Sequence, residues 1–136
     1  MRQPTTYLVT VMYAAVLCCA LLMPARTHAQ TTKPLSEDEK IESLIRAVDQ
    51  LKDATFVRNG KDYDCHAAAK HMRDKWEHGK DQIKSAKDFI EKAASKSLAS
   101  GKPYLIKFKD GREVESGAFL AEELKKLEGA NSGSSR

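Results

Sequence analysis

The stretch YLIKFKDGREV, residues 104–114, decides between an all-helical chain and a mixed one. Tyr104, Ile106 and Phe108 alternate with Lys107 and Lys109, the period-two pattern of a half-buried strand. Asp110-Gly111 then signals a hairpin, and the side-chain pattern selects its loop. A two-residue loop would set Phe108 against Glu113 and leave Val114 on the lysine face. A three-residue loop, 109–111, with Gly111 left-handed in a bulge, pairs Ile106 with Val114 and Lys107 with Glu113. The second register keeps apolar against apolar and lysine against glutamate, so it is the expected one.

Around this hairpin the pattern is helical. Downstream, residues 117–128 offer Phe119, Leu120, Leu124 and Leu127 to a core, and GANSGSSR, residues 129–136, reads as a disordered tail. Upstream, SKSLASGKP, residues 95–103, is a hydroxyl-rich, solvated loop. Before it a helix is capped by Ser85, with Ala86, Phe89, Ile90 and Ala93 on its apolar side. A further helix is capped by Asp64 and carries Cys65, Ala68, Ala69, Met72 and Trp76 on one narrow face, ending at Gly79 as a left-handed cap. Phe56 and Val57 lead into an Asn59-Gly60 turn. The first helix opens with a Ser36/Glu39 capping box and repeats Ile41, Leu44, Ile45, Val48 and Leu51 at helical spacing. The expectation is therefore an α+β fold, mainly helical: four helices with one β-hairpin before the last, around a single core spanning residues 36–128. Residues 30–35 form a flexible leader, and there are no internal repeats.

The first 29 residues read as a signal peptide: Arg2, an uncharged run over residues 7–23, and Thr27-His28-Ala29 before a cleavage site after Ala29. The alternative is an uncleaved N-terminal anchor. Leu17 before Cys18 argues against lipid attachment. Export to the periplasm without a stable membrane anchor is the expected outcome. The chain has 136 residues, 41% hydrophobic and 31% charged, with a formal net charge of +4. Removing Arg2 and Arg26 from its 23 basic residues leaves 21 against 19 acidic ones, a net charge of +2. The lysines are interleaved with acids, so a nucleic-acid partner is not expected. Cys18 and Cys19 leave with the signal, and Cys65 alone cannot form an intramolecular disulfide.

Candidate chemistry is sparse. Cys65 at a helix start is where backbone N–H groups can stabilise a thiolate. Yet His66 points about 100° around the helix and His71 about 120° away, so neither supplies a base from that helix. The competing reading is a small core residue in line with Met72 and Trp76. His71 and His78 share a face but are separated by about 10.5 Å of rise, so no metal site is expected. His71 reads as a boundary residue hydrogen-bonded to its neighbours. SKSLASGK lacks the first glycine of a phosphate loop, and no cofactor is expected, although its hydroxyls and N–H groups suit a small anion. Arg58, Arg73, Lys75 and Tyr63 suggest a basic, aromatic patch near the turn.

The combination of FVRNG, CHAAAKHMRDKW, IKSAKDFIEKAASKS and SGKPY resembles the YfeK-like proteins, small exported bacterial proteins of unknown function, over about Ile41 to Leu127. The resemblance implies export in a Gram-negative cell and no known reaction. It directs attention to Arg58, Asn59, Gly60, Cys65, His71, Arg73, Ser95, Ser97, Ser100, Gly101, Lys102 and Tyr104. With no complete catalytic constellation, the favoured function is a non-enzymatic binding or interaction module, its partner a periplasmic protein or a small anionic ligand. Its contact surface would combine the Asn59-Gly60 turn with the 95–103 loop, if these meet. The alternatives are a thiol-dependent enzyme or redox protein using Cys65, and homodimerisation through an exposed Trp76 face.

Overall fold

The computed structural model describes residues 33–132, so the expected signal peptide, its expected cleavage site and residues 30–32 of the expected leader lie outside the described residues. Helix α1 (Glu37–Asp49) begins at the expected capping box. The Glu39 N–H donates to Ser36 Oγ at 3.3 Å, and the Ser36 N–H donates to the Glu39 carboxylate at 2.7 Å. Two amides that the helix itself cannot pair are thus satisfied, and Ile41, Leu44, Ile45 and Val48 turn inward and are buried. Helix α2 (Cys65–His78) starts where Asp64 Oδ1 accepts the Ala67 N–H at 2.7 Å, and all five residues of its expected apolar face are buried. Gly79 ends it for a different reason from the one expected. Its φ is −100°, outside the left-handed region, but a Cβ there would lie 3.0 Å from both Ile83 Cδ1 and the Lys75 carbonyl oxygen. The glycine accommodates a close approach rather than a left-handed backbone.

Helix α3 (Ala86–Phe89), capped by Ser85, passes directly into a π-helical turn, Ile90–Ala94. The wider turn brings Ala94 inward beside Ala93, and both are buried. Ser95 Oγ closes it by donating to the Ile90 carbonyl at 2.6 Å. Helix α4 (Ser116–Ser132) buries Leu120 and Leu124, with Phe119 and Leu127 packed at the margin of the core. It runs four residues past the expected end at 128; residues 133–136 of the expected tail lie outside the described residues.

Strands β3 (Leu105–Phe108) and β4 (Glu113–Glu115) pair in the register that the side chains require, Ile106 with Val114 and Lys107 with Glu113. The Phe108 N–H donates to the Arg112 carbonyl at 2.8 Å across the three-residue loop, and Gly111 has φ +88°. To this expected hairpin the structure adds a second. Strands β1 (Ala54–Arg58) and β2 (Lys61–Asp64) flank Asn59-Gly60, with φ +52° and +76°, the two positive values that a twisted two-residue hairpin demands. The sheet is antiparallel throughout, in the order β2-β1-β3-β4. With four helices beside it, the α+β class holds; the single hairpin becomes two. β2 escaped the reading because Lys-Asp-Tyr-Asp is exposed at every position and carries no apolar alternation.

The helices cover one face of the sheet. Phe56 and Ile106 belong to the helical core, and Phe108 and Val114 pack against it. The opposite face carries Val57, Leu105, Lys107 and Glu113, outside that core. Among the described residues no helix is long and apolar enough to cross a membrane.

Candidate functional site

The Asn59-Gly60 turn and the serine-rich loop meet. Asn59 tolerates its left-handed backbone because its short polar side chain can bond locally, and here that side chain reaches across the molecule. Its Nδ2 donates to Ser97 Oγ at 3.4 Å, and Ser100 Oγ donates to its Oδ1 at 2.6 Å. The loop is folded rather than merely solvated. The Gly101 N–H donates to the Ser97 carbonyl at 2.8 Å, the Ser97 N–H to the Lys102 carbonyl at 2.9 Å, and Ser97 is 3% exposed. The amides of Ser97, Ser100, Gly101 and Lys102 are thus paired with oxygens of the loop itself. What the junction does present is Asn59, Gly60, Ser100 and Lys102, all exposed, and at its tip Leu98, 75% exposed. Leu98 was missed in the sequence; its signal is a lone large apolar residue in a run of hydroxyls. Gly60, Lys102 and Pro103 also border a shallow groove of about 330 Å³ on the open sheet face.

The basic residues divide between two places. Arg73 leaves the turn and pairs with Glu42 of α1. Arg58, the last residue of β1, donates from Nη1 to His71 Nε2 at 3.0 Å, which gives His71 the expected role of a boundary residue. An arginine is always protonated, so His71 accepts through Nε2 and carries its own proton on Nδ1. Burial and the charges of Arg58 and Lys75 hold the His71 pKa below its ordinary value. Lys75, one turn further along α2, donates to the Ala93 carbonyl at 2.7 Å and lies 5.5 Å from the centre of the Tyr104 ring.

Cys65 is 4% exposed, and its thiol donates to the Ala54 carbonyl at 3.4 Å. Burial, with Asp64 and Asp49 adding to it, raises its pKa. These effects oppose the thiolate that a helix start favours. His66 is turned to Asp49 at 2.7 Å and His78 to the Asp74 carbonyl at 2.6 Å. Native Cys65 should accordingly be alkylated far more slowly at neutral pH than in the unfolded chain, since both thiolate fraction and access are reduced. Equal rates in the two states would contradict the buried placement. Among the described residues no group of three or more ligating side chains could hold a metal ion. Trp76 is 6% exposed with Lys80 Nζ 5.0 Å from its ring centre, so the exposed Trp76 face expected for a dimer is not there.

The fold and the junction define a small α+β domain: a four-stranded antiparallel sheet covered on one face by helices, with a turn and a loop tied together at one end. The chain belongs to a family of unknown function, DUF5329, whose model matches residues 35–128. It is also 38% identical over 90 residues to the uncharacterized protein YfeK of Salmonella typhimurium, covering 66% of this chain and 72% of that protein. No solved structure matches.

Proposed function

We propose that the domain is an exported, non-enzymatic binding module of the periplasm, delivered by a signal peptide cleaved after Ala29. Its contact surface is the junction of the Asn59-Gly60 turn with the 95–103 loop. One observation carries the reading. Residues 38 and 41 positions apart in the chain are tied by the side chain of one asparagine, which holds two exposed segments in one arrangement while Leu98 projects beside them. Loops fixed on a rigid scaffold are where binding residues concentrate, and a pre-ordered surface loses less entropy on association. A large apolar side chain at the tip suits a protein partner, which would bury it. The buried thiol with its raised pKa lends no support to the thiol-enzyme alternative.

The test is capture from periplasmic extract by the mature protein and two variants. Leu98 is 75% exposed, so Leu98→Ser should leave stability within about 0.5 kcal/mol. Asn59→Gly keeps the turn's handedness and removes both ties, at about 1 kcal/mol. A partner retained by the parent and lost with either variant supports the reading. Capture unchanged by both would refute it.

A further inference from the structure

Arg58 is half-buried and uses one of its five N–H donors on His71. Among the described residues neither Arg58 nor Lys75 forms an ion pair with a carboxylate, whereas Arg73 on the same helix as Lys75 is paired with Glu42. Asp74, whose charge also acts on His71, is held by Lys70 at 2.9 Å. Two cations and a neutral histidine therefore stand together without a counter-ion, and a partly desolvated guanidinium in that state favours an anion. Beside them is a cleft of about 190 Å³ lined by Phe56, Arg58, Tyr63, Ala67, Ala68 and His71. Apart from Arg58 and His71, its lining is aromatic and aliphatic. At roughly 30 Å³ per water, it has room for only a handful of heavy atoms, below the usual range for drug-sized ligands.

We propose that this cleft binds a small carboxylate bearing a compact apolar group, the carboxylate on the free N–H edge of Arg58 and the apolar group against Phe56, Ala67 and Ala68. The guanidinium fork matches a carboxylate with two parallel hydrogen bonds. Inorganic phosphate would satisfy the charge but leave the apolar walls unmet. This deepens the binding-module reading and rests on it, because Arg58 immediately precedes the Asn59-Gly60 turn.

The probe is isovalerate, titrated into the mature protein with the amide and His71 ring signals followed by NMR. Saturable shifts at residues lining the cleft are expected, with isovaleramide and phosphate each binding at least several-fold more weakly. Arg58→Gln should weaken isovalerate by roughly ten- to a hundredfold, the worth of a hydrogen bond to a charged group. Ala67→Leu, at an exposed helix position, keeps every charge and fills the cleft; it should abolish binding in a chain that still folds. Shifts that stay linear in isovalerate, or equal affinity in the parent and both variants, would overturn the proposal. If isovalerate fails while capture through Leu98 and Asn59 persists, the ligand inference falls alone. If isovalerate binds and capture is insensitive to those residues, the contact-surface reading is the one that fails.

Discussion

Phe89→Ala is expected to lower the free energy of unfolding by about 3–5 kcal/mol. Phe89 is completely buried and among the largest such side chains, and it stands at the last position of α3, where the chain passes into the π-helical turn. Truncation removes the transfer free energy of a whole ring and leaves a cavity that cannot easily collapse, because the helix carrying it is held at both ends. At its start the Ser85 hydroxyl caps the Asp88 amide and Glu37 of α1 accepts the Ala86 N–H at 2.7 Å. At its end the π turn is closed by Ser95. Domains of this size have about 5–15 kcal/mol of stability in total, so the variant sits near the limit of folding. Urea denaturation checks this: the midpoint should fall with the slope unchanged. A loss below about 1 kcal/mol would mean that Phe89 is not enclosed as described.

The contrast between α3 and the sheet shows what could be read from the sequence. Where the determining interactions are local, the residues announce them. Ser36 and Glu39 are three apart, the α2 stripe from Cys65 to Trp76 repeats at helical spacing, and Ile106 meets Val114 across a three-residue loop. Where an interaction is distant or lacks an apolar signature, the sequence is silent. β2 has no inward-facing apolar run, because it is an edge strand with every residue exposed. The π turn is invisible to helical periodicity, which assumes a constant turn, yet it is what brings Ala94 inward beside Ala93. Cys65 shows a competition between two correct principles. Its helix start favours the thiolate and its burial disfavours it, and only the structure shows that burial. The site divides in the same way. Arg58, Asn59, His71, Ser97 and Ser100 could be singled out as residue types, but their meeting depends on β1 pairing with β3, which sets the turn beside the loop that precedes β3.

Gly117 carries the second large effect, and its sign is the informative part. Replacing a glycine by alanine inside a helix ordinarily stabilises by up to about 1 kcal/mol. Gly129 in the same helix faces open space, so Gly129→Ala should follow that rule. At Gly117 a Cβ would stand 2.4 Å from Ser95 Oγ and 3.1 Å from Ser95 Cβ. The serine cannot simply rotate away, since its hydroxyl closes the π turn on the Ile90 carbonyl. Gly117→Ala is therefore expected to destabilise by about 1–3 kcal/mol, the cost of overpacking, despite its gain in helix propensity. Ser95→Ala removes the closest clash, so in that background Gly117→Ala should cost less than about 1 kcal/mol, and the difference is a coupling that a double-mutant cycle reads directly. If Gly117→Ala stabilised the chain as Gly129→Ala does, the close approach of α4 to the π turn would be wrong. The consequence reaches the proposed contact surface, because the Ser95 carbonyl accepts the Tyr104 N–H at 2.9 Å and so anchors the base of the 95–103 loop. A side chain at Gly117 pushes on that base, and partner capture should weaken with it even at temperatures where the variant remains folded. On the proposed contact surface, Gly117 would act on binding without touching the partner, by fixing the seat of the loop that carries Leu98 and Ser100.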